Sequence, residues 1–170
     1  MKMLSDNMHY NKIRKMDIAN GPGIRIAIFV QGCTFNCPNC FNPETHDFAG
    51  GAEFNDEVIN KILTLANNDY IVGLSILGGE PLHPKNIDGV TELAKRFKET
   101  YSDKNIWVWS GFNYEDIKDK DILKYIDVLV DGKYKDELHD FRLKWRGSAN
   151  QRVIDIKKTL KNKKITLFCD

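Results

Sequence analysis

The chain has 170 residues, 42% of them hydrophobic, and its 25 basic and 24 acidic residues give a net charge of +1. This length and composition predict a single domain, residues 1–170, with a sizeable core. The small net charge provides no global field that would attract nucleic acid or an anionic membrane, so neither is expected as a partner. The N-terminal residues lack the apolar core of a signal peptide, and no apolar run approaches the length that spans a bilayer, which predicts a cytoplasmic protein.

Short apolar runs alternate with longer helical patterns along the chain. Strands are predicted at residues 24–30, 71–77, 105–109 and 126–130. Helices are predicted at residues 56–68, 88–100 and 115–125. In the first helix, Asn55 or Asp56 is the expected N-cap. The apolar residues of that helix share one face and comprise Val58, Ile59, Ile62, Leu65 and Ala66.

This alternation predicts an α/β fold with right-handed crossovers and a mainly parallel sheet. The units are too few to close an eight-stranded barrel, so the sheet is expected to stay open or to form a partial (β/α) barrel. Beyond Arg146, the runs "RVIDI" and "KITLF" are predicted to form short strands. A solvated face is predicted for the lysines of this tail, which are Lys157, Lys158, Lys161, Lys163 and Lys164.

Three of the four cysteines, Cys33, Cys37 and Cys40, lie within eight positions in "QGCTFNCPNC". In a reducing cytoplasm such a group indicates metal ligands or catalytic thiols rather than disulfides. A structural zinc site needs four protein ligands, and here His46 or Cys169 would have to complete it. A 4Fe-4S cluster takes one ligand per iron, so three cysteines would leave one iron free for a substrate. The spacing alone leaves both interpretations open.

Polar, glycine-rich or cysteine-rich loops follow all four predicted strands. They are "QGCTFNCPNC", "GGEP", "SGF" and "DGKY". Ligand sites of parallel α/β sheets lie beyond the carboxyl ends of the strands, so these loops predict an active site on one rim. In "GGEP" the glycines allow a ligand to approach the backbone and Glu80 adds a carboxylate. In "DGKY", Asp131 and Lys133 could bind the charged end of a zwitterion or form an ordinary ion pair. "NGPG", residues 20–23, precedes a strand and is interpreted as a turn without an assigned function.

The sequence resembles the radical S-adenosylmethionine superfamily and, within it, the activating enzymes of glycyl radical enzymes. The resemblance runs over most of the chain, through "NGPGIRIAIFVQGCTFNCPNCFNPETHDF", "LGGEPL", "WSGF", "DVLVDGKY" and "RGSANQRVID". It implies that Cys33, Cys37 and Cys40 bind three irons of a 4Fe-4S cluster. S-adenosylmethionine would chelate the fourth iron, and no catalytic residue is expected beyond the cluster and this cofactor.

The same resemblance implies a set of cofactor-binding residues. They are Asn39, Gly78, Gly79, Glu80, Asp131, Gly132 and Lys133. Asn39 occupies the position before the third cysteine, where many members of the superfamily carry an aromatic residue that packs on adenine. The implied partner is the glycyl radical subunit of anaerobic ribonucleotide reductase, with a reductant such as flavodoxin or ferredoxin.

Three alternatives differ from this interpretation. An activase of another glycyl radical enzyme, of the pyruvate formate-lyase type, would share the cluster but not the partner, as would a small peptide-modifying synthase. A zinc-ribbon binding module would use the cysteines without redox chemistry. The short chain and the motif "CFNPET" favour the reductase activase.

Overall fold

The computed structural model describes residues 8–169 of the chain. The strands are β1 (His9–Asp17), β2 (Ile24–Val30), β3 (Ala52–Glu53), β4 (Ile71–Gly78), β5 (Asn105–Trp109), β6 (Val128–Asp131), β7 (Arg152–Asp155) and β8 (Leu167–Cys169). The helices are α1 (Asp56–Leu65), α2 (Ile87–Thr100), α3 (Tyr114–Ile117) and α4 (Ile156–Asn162). Short 3-10 helices occupy Pro43–Thr45, Asp121–Lys124 and Asp136–Leu138.

The eight strands form one mixed sheet in the order β3-β1-β2-β4-β5-β6-β7-β8. Strands β2, β4, β5 and β6 pair in parallel, as the sequence predicts. The strands outside this group, β3 and β1 on one side and β7 and β8 on the other, pair antiparallel. The α/β class is therefore confirmed, but the sheet is mixed rather than mainly parallel. Antiparallel neighbours need only short connections, whereas parallel ones need a crossover.

Local sequence explains the well-predicted elements. Helix α1 begins at the predicted cap, because the side chain of Asn55 accepts a hydrogen bond from the backbone N–H of Val58 at 3.1 Å.

The predicted helix at 115–125 is wrong as a continuous element, since the chain forms the short α3 and then a separate 3-10 helix. The five tail lysines are exposed as predicted. Three of them, Lys157, Lys158 and Lys161, lie on helix α4, which the sequence analysis did not predict.

Strand β1 is absent from the sequence prediction. Its run "HYNKIRKMD" is mostly polar, and it forms a strand because it pairs antiparallel with the buried strand β2. None of the helices within the described range 8–169 is long and apolar enough to cross a membrane.

The two faces of the parallel strands are covered differently, because successive side chains of a strand point to opposite faces. On one face, here called the helix face, residues of α1 and α2 pack on the strands in one continuous core. The strand residues of the helix face include Ile26, Ile28, Leu74, Ile76, Ile106 and Val108. The opposite face, here called the cavity face, holds two small clusters with Phe29, Leu77, Trp107 and Trp109.

Candidate functional site

The cysteine loop follows β2, and its first residues are hydrogen-bonded to the segment that follows the three cysteines. The backbone N–H of Gly32 donates to the carbonyl of Thr45 at 2.7 Å, and that of Cys33 donates to the carbonyl of His46 at 3.1 Å. Asn36 and Asn39 adopt positive φ values of 50° and 55°. Asparagine tolerates this left-handed conformation better than most residues, so the loop can turn sharply between its cysteines.

The three thiols line one cavity. Cys33, Cys37 and Cys40 are all free and partly exposed, and each borders this cavity. Burial raises the pKa of the Cys33 and Cys37 thiols above the ordinary value. Within residues 8–169, no group of three or more His, Cys, Asp or Glu side chains is already arranged around the position of a single metal ion.

The "GGEP" loop lies directly against the cysteine loop. Gly78 has a φ of +110°, a conformation that favours glycine. A Cβ on Gly79 would lie 2.6 Å from the carbonyl oxygen of Gly32, so only glycine permits this close approach. The backbone N–H of Glu80 then donates to the same Gly32 carbonyl at 2.7 Å. The glycines thus join two loops, in addition to lining the cavity.

Glu80 connects the "GGEP" loop to the "SGF" loop after β5. Its carboxylate is 1% exposed and accepts hydrogen bonds from the Ser110 hydroxyl at 2.8 Å and the Gly111 N–H at 2.6 Å. The N–H of Leu82 donates to the same carboxylate at 2.8 Å. Burial raises the pKa of Glu80 to about 7, although these three donors favour the charged form. Glu80 therefore holds together two of the four predicted rim loops.

The cavity has a volume of about 480 Å³ and opens at the carboxyl ends of the parallel strands. All four predicted rim loops contribute to its lining, including Gly78, Gly79, Glu80, Ser110, Gly111, Gly132 and Tyr134. Its floor comes from the cavity face of the sheet, through Phe29, Leu77 and Trp109. This volume lies in the range of pockets that enclose a small-molecule ligand. The prediction that the four loops meet on one rim is confirmed.

The "NGPG" turn joins β1 to β2 and also reaches the cavity, where Asn20 lines it. Beneath the turn, the fully buried Arg25 donates to the Ser75 hydroxyl at 2.7 Å. The Ser75 hydroxyl in turn donates to the Asn20 carbonyl at 2.6 Å. The interpretation of "NGPG" as a turn is confirmed, and a buried polar chain fixes its position.

The "DGKY" loop is only partly in the cavity. Gly132 lines it, but Asp131 does not and is fully buried beside Arg152, whose Nε donates to Oδ1 at 3.0 Å. Lys133 is exposed, with its Nζ 6.0 Å from the centroid of the Phe35 ring. Asp131 and Lys133 therefore do not form a common charged pair.

Asn39 also lies outside the cavity lining. Its side-chain amide donates to the Asp136 carboxylate at 2.8 Å, which ties the cysteine loop to the segment after β6. The sequence separation of 97 residues explains why local sequence gave no sign of this contact.

Two buried amides that the sequence interpretation missed hold the loops in place. Gln31 donates through Nε2 to the carbonyls of Glu44 at 3.0 Å and Asp47 at 2.8 Å. Asn86 donates through Nδ2 to the carbonyls of Gln31 at 3.1 Å and Glu80 at 2.9 Å. Asn86 stands before α2, where its type signals an N-cap, but its side chain makes no capping bond. A buried loop must satisfy its backbone groups, and these amides do so.

The cavity suits an iron–sulfur cluster in its donor chemistry. Three free thiols from one loop border it, and sulfur is the preferred donor for such clusters. A 4Fe-4S cluster takes one cysteine per iron, so it does not need three thiols converging on a single ion. His46 also lines the cavity, whereas Cys169 lies on β8 and packs beside the cluster of Trp107.

Fold and site together define an α/β protein with a cysteine loop and a glycine loop around one cavity, the arrangement of an iron–sulfur protein. The family model described as "4Fe-4S single cluster domain" matches residues 19–154. This match covers most of the chain, including the three cysteines and all four rim loops.

Several proteins that share one name are similar to this chain over most of its length. The anaerobic ribonucleoside-triphosphate reductase-activating protein of Enterobacteria phage T4 is 40% identical over 146 residues, covering 86% of this chain and 93% of its own. The proteins of the same name from Vibrio cholerae and Escherichia coli K12 are 41% and 38% identical over 150 residues, covering 86% of this chain and 97% of their own. The chain belongs to the family of anaerobic ribonucleoside-triphosphate reductase-activating proteins.

Proposed function

We propose that this protein is a radical S-adenosylmethionine enzyme that generates a glycyl radical on anaerobic ribonucleotide reductase. One observation carries the proposal: the three clustered cysteines line the same cavity as the "GGE" residues at the carboxyl ends of parallel strands. The relatives named as reductase-activating proteins support the choice of partner. The single sheet that contains the eight strands of residues 8–169 supports one domain over residues 1–170. Its four adjacent parallel strands support the partial-barrel type found in radical S-adenosylmethionine enzymes.

Cys33, Cys37 and Cys40 would each bind one iron of the cluster. When bound, the cluster and S-adenosylmethionine would together supply one-electron chemistry: reduction of the sulfonium would release methionine and allow the adenosyl group to take a hydrogen atom from a glycine of the partner. The chain itself binds and orients the reactants and limits the access of water. This assigns no acid, base or nucleophile to a side chain.

The glycine loop would hold the methionine part of the cofactor. Gly78 and Gly79 border the cavity with their backbone. Glu80 fixes that backbone through the three hydrogen bonds that its carboxylate accepts. Gly132 also borders the cavity and would contact the cofactor directly. Asp131 would act as a positioning residue, because its ion pair with Arg152 fixes the strand end beside Gly132.

Two further cofactor roles are proposed for residues beside the cavity lining. Lys133 would interact with the cofactor from the exposed side of the "DGKY" loop. Asn39, which is bound to Asp136, would position the cysteine loop and offer its backbone to the adenine. A low-potential reductant of the flavodoxin or ferredoxin type would supply the electron, in the cytoplasm, where thiols stay reduced.

The proposed function is tested with protein purified and reconstituted without oxygen. Iron and sulfide analysis should give a four-iron cluster, and a zinc content in its place would support the zinc-ribbon alternative. Mixing the reduced protein and S-adenosylmethionine with anaerobic ribonucleotide reductase should produce a glycyl radical in the electron paramagnetic resonance spectrum. A parallel sample receives pyruvate formate-lyase. A radical on the lyase alone would change the partner, and no cofactor cleavage under reducing conditions would remove the enzymatic function.

A further inference from the structure

A row of aromatic rings borders the cavity beside the third cysteine. Phe41 directly follows Cys40, and its ring lies 4.9 Å from that of Tyr134 and 5.9 Å from that of His139. The His139 ring lies 4.3 Å from that of Phe141. We call these four residues the aromatic ridge, and all of them line the cavity.

The ridge exposes apolar surface to solvent. Phe141 is 90% exposed and Phe41 is 59% exposed, and the neighbouring Leu138 is 40% exposed. Single exposed apolar residues are common, but a contiguous exposed group beside a cavity is typical of an interaction site. Here the group is contiguous, since each ring contacts the next.

Hydrogen bonds within the chain hold the segments that carry the ridge. The Tyr134 hydroxyl donates to the Asp136 carboxylate at 2.9 Å, and the same carboxylate accepts from Asn39. Asp140 and Arg142 flank Phe141 in the sequence, and the Arg142 side chain donates to both carboxylate oxygens of Asp140, at 3.0 and 2.9 Å. Of the two carboxylates beside the ridge, Asp136 is thus hydrogen-bonded and Asp140 is ion-paired within the chain. The surface it offers is apolar, so an occupant with an apolar contact surface matches it best.

The cavity is too small to enclose a segment of a protein substrate together with the cofactor. A volume of about 480 Å³ is typical of a pocket for one small-molecule ligand. With S-adenosylmethionine bound, the cavity can admit little more than the glycine that reacts. The residues beside that glycine must therefore contact the rim, and the ridge is the exposed apolar part of the rim next to Cys40.

We propose that the aromatic ridge is the docking surface for the reductase segment that carries the target glycine. The segment places an apolar or aromatic side chain, within a few residues of the glycine, against Phe141 and Phe41. This proposal rests on the proposed function, because it takes the reductase as the substrate. Binding orders a flexible segment at a free-energy cost, and the apolar contact with the ridge offsets that cost.

The test compares two exposed aromatic residues at opposite ends of the molecule. Phe141→Ala removes the most exposed ring of the aromatic ridge, and Tyr70→Ala is the matched control. Tyr70 is 52% exposed and directly precedes β4, so it lies at the end of that strand opposite Gly78 and the cavity. Because both side chains are largely exposed, neither substitution should disturb folding. Phe141→Leu, which keeps an apolar side chain, serves as the conservative variant.

Binding and turnover are measured on the reconstituted proteins without oxygen. Phe141→Ala should raise the Kd for the reductase, and the KM for it in glycyl radical formation, about tenfold with little change in kcat. Phe141→Leu should restore most of the affinity, and Tyr70→Ala should match the wild type. S-adenosylmethionine affinity and its cleavage without reductase are measured in all four proteins, and Phe141→Ala should weaken reductase binding far more than it changes either of them. Binding of the reductase to the cluster-free chain gives a readout that does not depend on activity.

Each other outcome overturns the assignment. If the wild type forms the glycyl radical and Phe141→Ala binds the reductase equally well, the ridge is not the docking surface and the proposed function stands. If Phe141→Ala changes only self-association in sedimentation, the occupant is a second copy of the chain. If it weakens only reduction by flavodoxin, the occupant is the electron donor. If the wild type forms no radical on the reductase, the proposed function fails and the ridge assignment fails with it.

Discussion

The helix face and the cavity face belong to the same four parallel strands, but they are stabilised in different ways. On the helix face, Ile28, Ile76 and Val108 are fully buried against α1 and α2 in one continuous apolar core. On the cavity face, Phe29, Leu77 and Trp109 meet loops instead of helices and leave a cavity of about 480 Å³.

The difference follows from what covers each face. A helix satisfies its own backbone hydrogen bonds, so it can cover a sheet with apolar side chains alone. A loop does not satisfy its own backbone hydrogen bonds in this way. The loops on the cavity face are therefore held by buried polar groups such as Gln31, Glu80 and Asn86. The helix face therefore contributes mainly to stability, and the cavity face combines stability with a binding site.

The largest effect is expected for a cysteine on the cavity face. Cys37→Ala should abolish the cluster and all radical formation, because one iron would lose its protein ligand. The stability of the cluster-free chain should hardly change, since Cys37 is only partly buried. Iron analysis and a thermal melt of the cluster-free protein measure the two effects. Cys169→Ala, on the edge strand β8, is the control and should retain its iron. Equal loss of iron in both variants would contradict the three-ligand assignment.

Neighbouring residues of β4 compare the two faces directly. Ile76 is 0% exposed on the helix face, and Leu77 is 7% exposed on the cavity face. Ile76→Ala should lower the free energy of unfolding by about 4 kcal/mol, because it adds a closed void to the lost burial. Leu77→Ala should lower it by about 2 kcal/mol, because its space joins an existing cavity. Guanidinium unfolding of the cluster-free proteins measures both, and equal losses would show that the two faces are packed alike.

A pH-dependent effect is expected from the buried carboxylate on the cavity face. Burial raises the pKa of Glu80 from 4.5 to about 7. The folded state then holds this proton more tightly than the unfolded state, so the stabilising contribution is complete below pH 4.5 and is lost as the pH rises to 7. The stability of the wild type relative to Glu80→Gln should fall by about 3 kcal/mol over this range. Urea unfolding at a series of pH values tests this, and parallel pH profiles for the two proteins would disprove it.

The smallest effect is expected at the exposed edge of the cavity. Lys133→Ala should weaken S-adenosylmethionine binding by about fivefold, because a solvent-exposed charge contributes on the order of 1 kcal/mol. Lys85→Ala is the matched control, since Lys85 is also exposed and also lies over an aromatic ring, at 4.8 Å from the Phe48 centroid. Lys133 lies between Gly132 and Tyr134, which both line the cavity, whereas neither sequence neighbour of Lys85 lines it. Calorimetry on the reconstituted proteins compares them. An equal affinity for both variants would remove Lys133 from the cofactor site.

Much of this site could be predicted because it depends on local patterns. The apolar runs at 24–30 and 105–109 match β2 and β5 at both ends, and the chemistry of the loops that follow the parallel strands is visible in "QGCTFNCPNC" and "GGEP". Once the strands are parallel, their carboxyl ends lie on one side, so these loops must meet. Strand order, position and loop composition are all properties of short stretches of sequence.

The remaining features depend on contacts between distant residues. The sequence offers Asp131 as a cofactor ligand, but antiparallel β7 brings Arg152 opposite Asp131, and the resulting ion pair buries that carboxylate outside the cavity. Asn39 likewise binds Asp136, and Gly79 is required by the approach of the Gly32 carbonyl as much as by a ligand. The amino acids alone determined which chemical groups this protein carries and on which side of the sheet their loops emerge. Only the tertiary structure decided which of those groups face the cavity, because a buried polar side chain binds whichever partner the packing brings within reach.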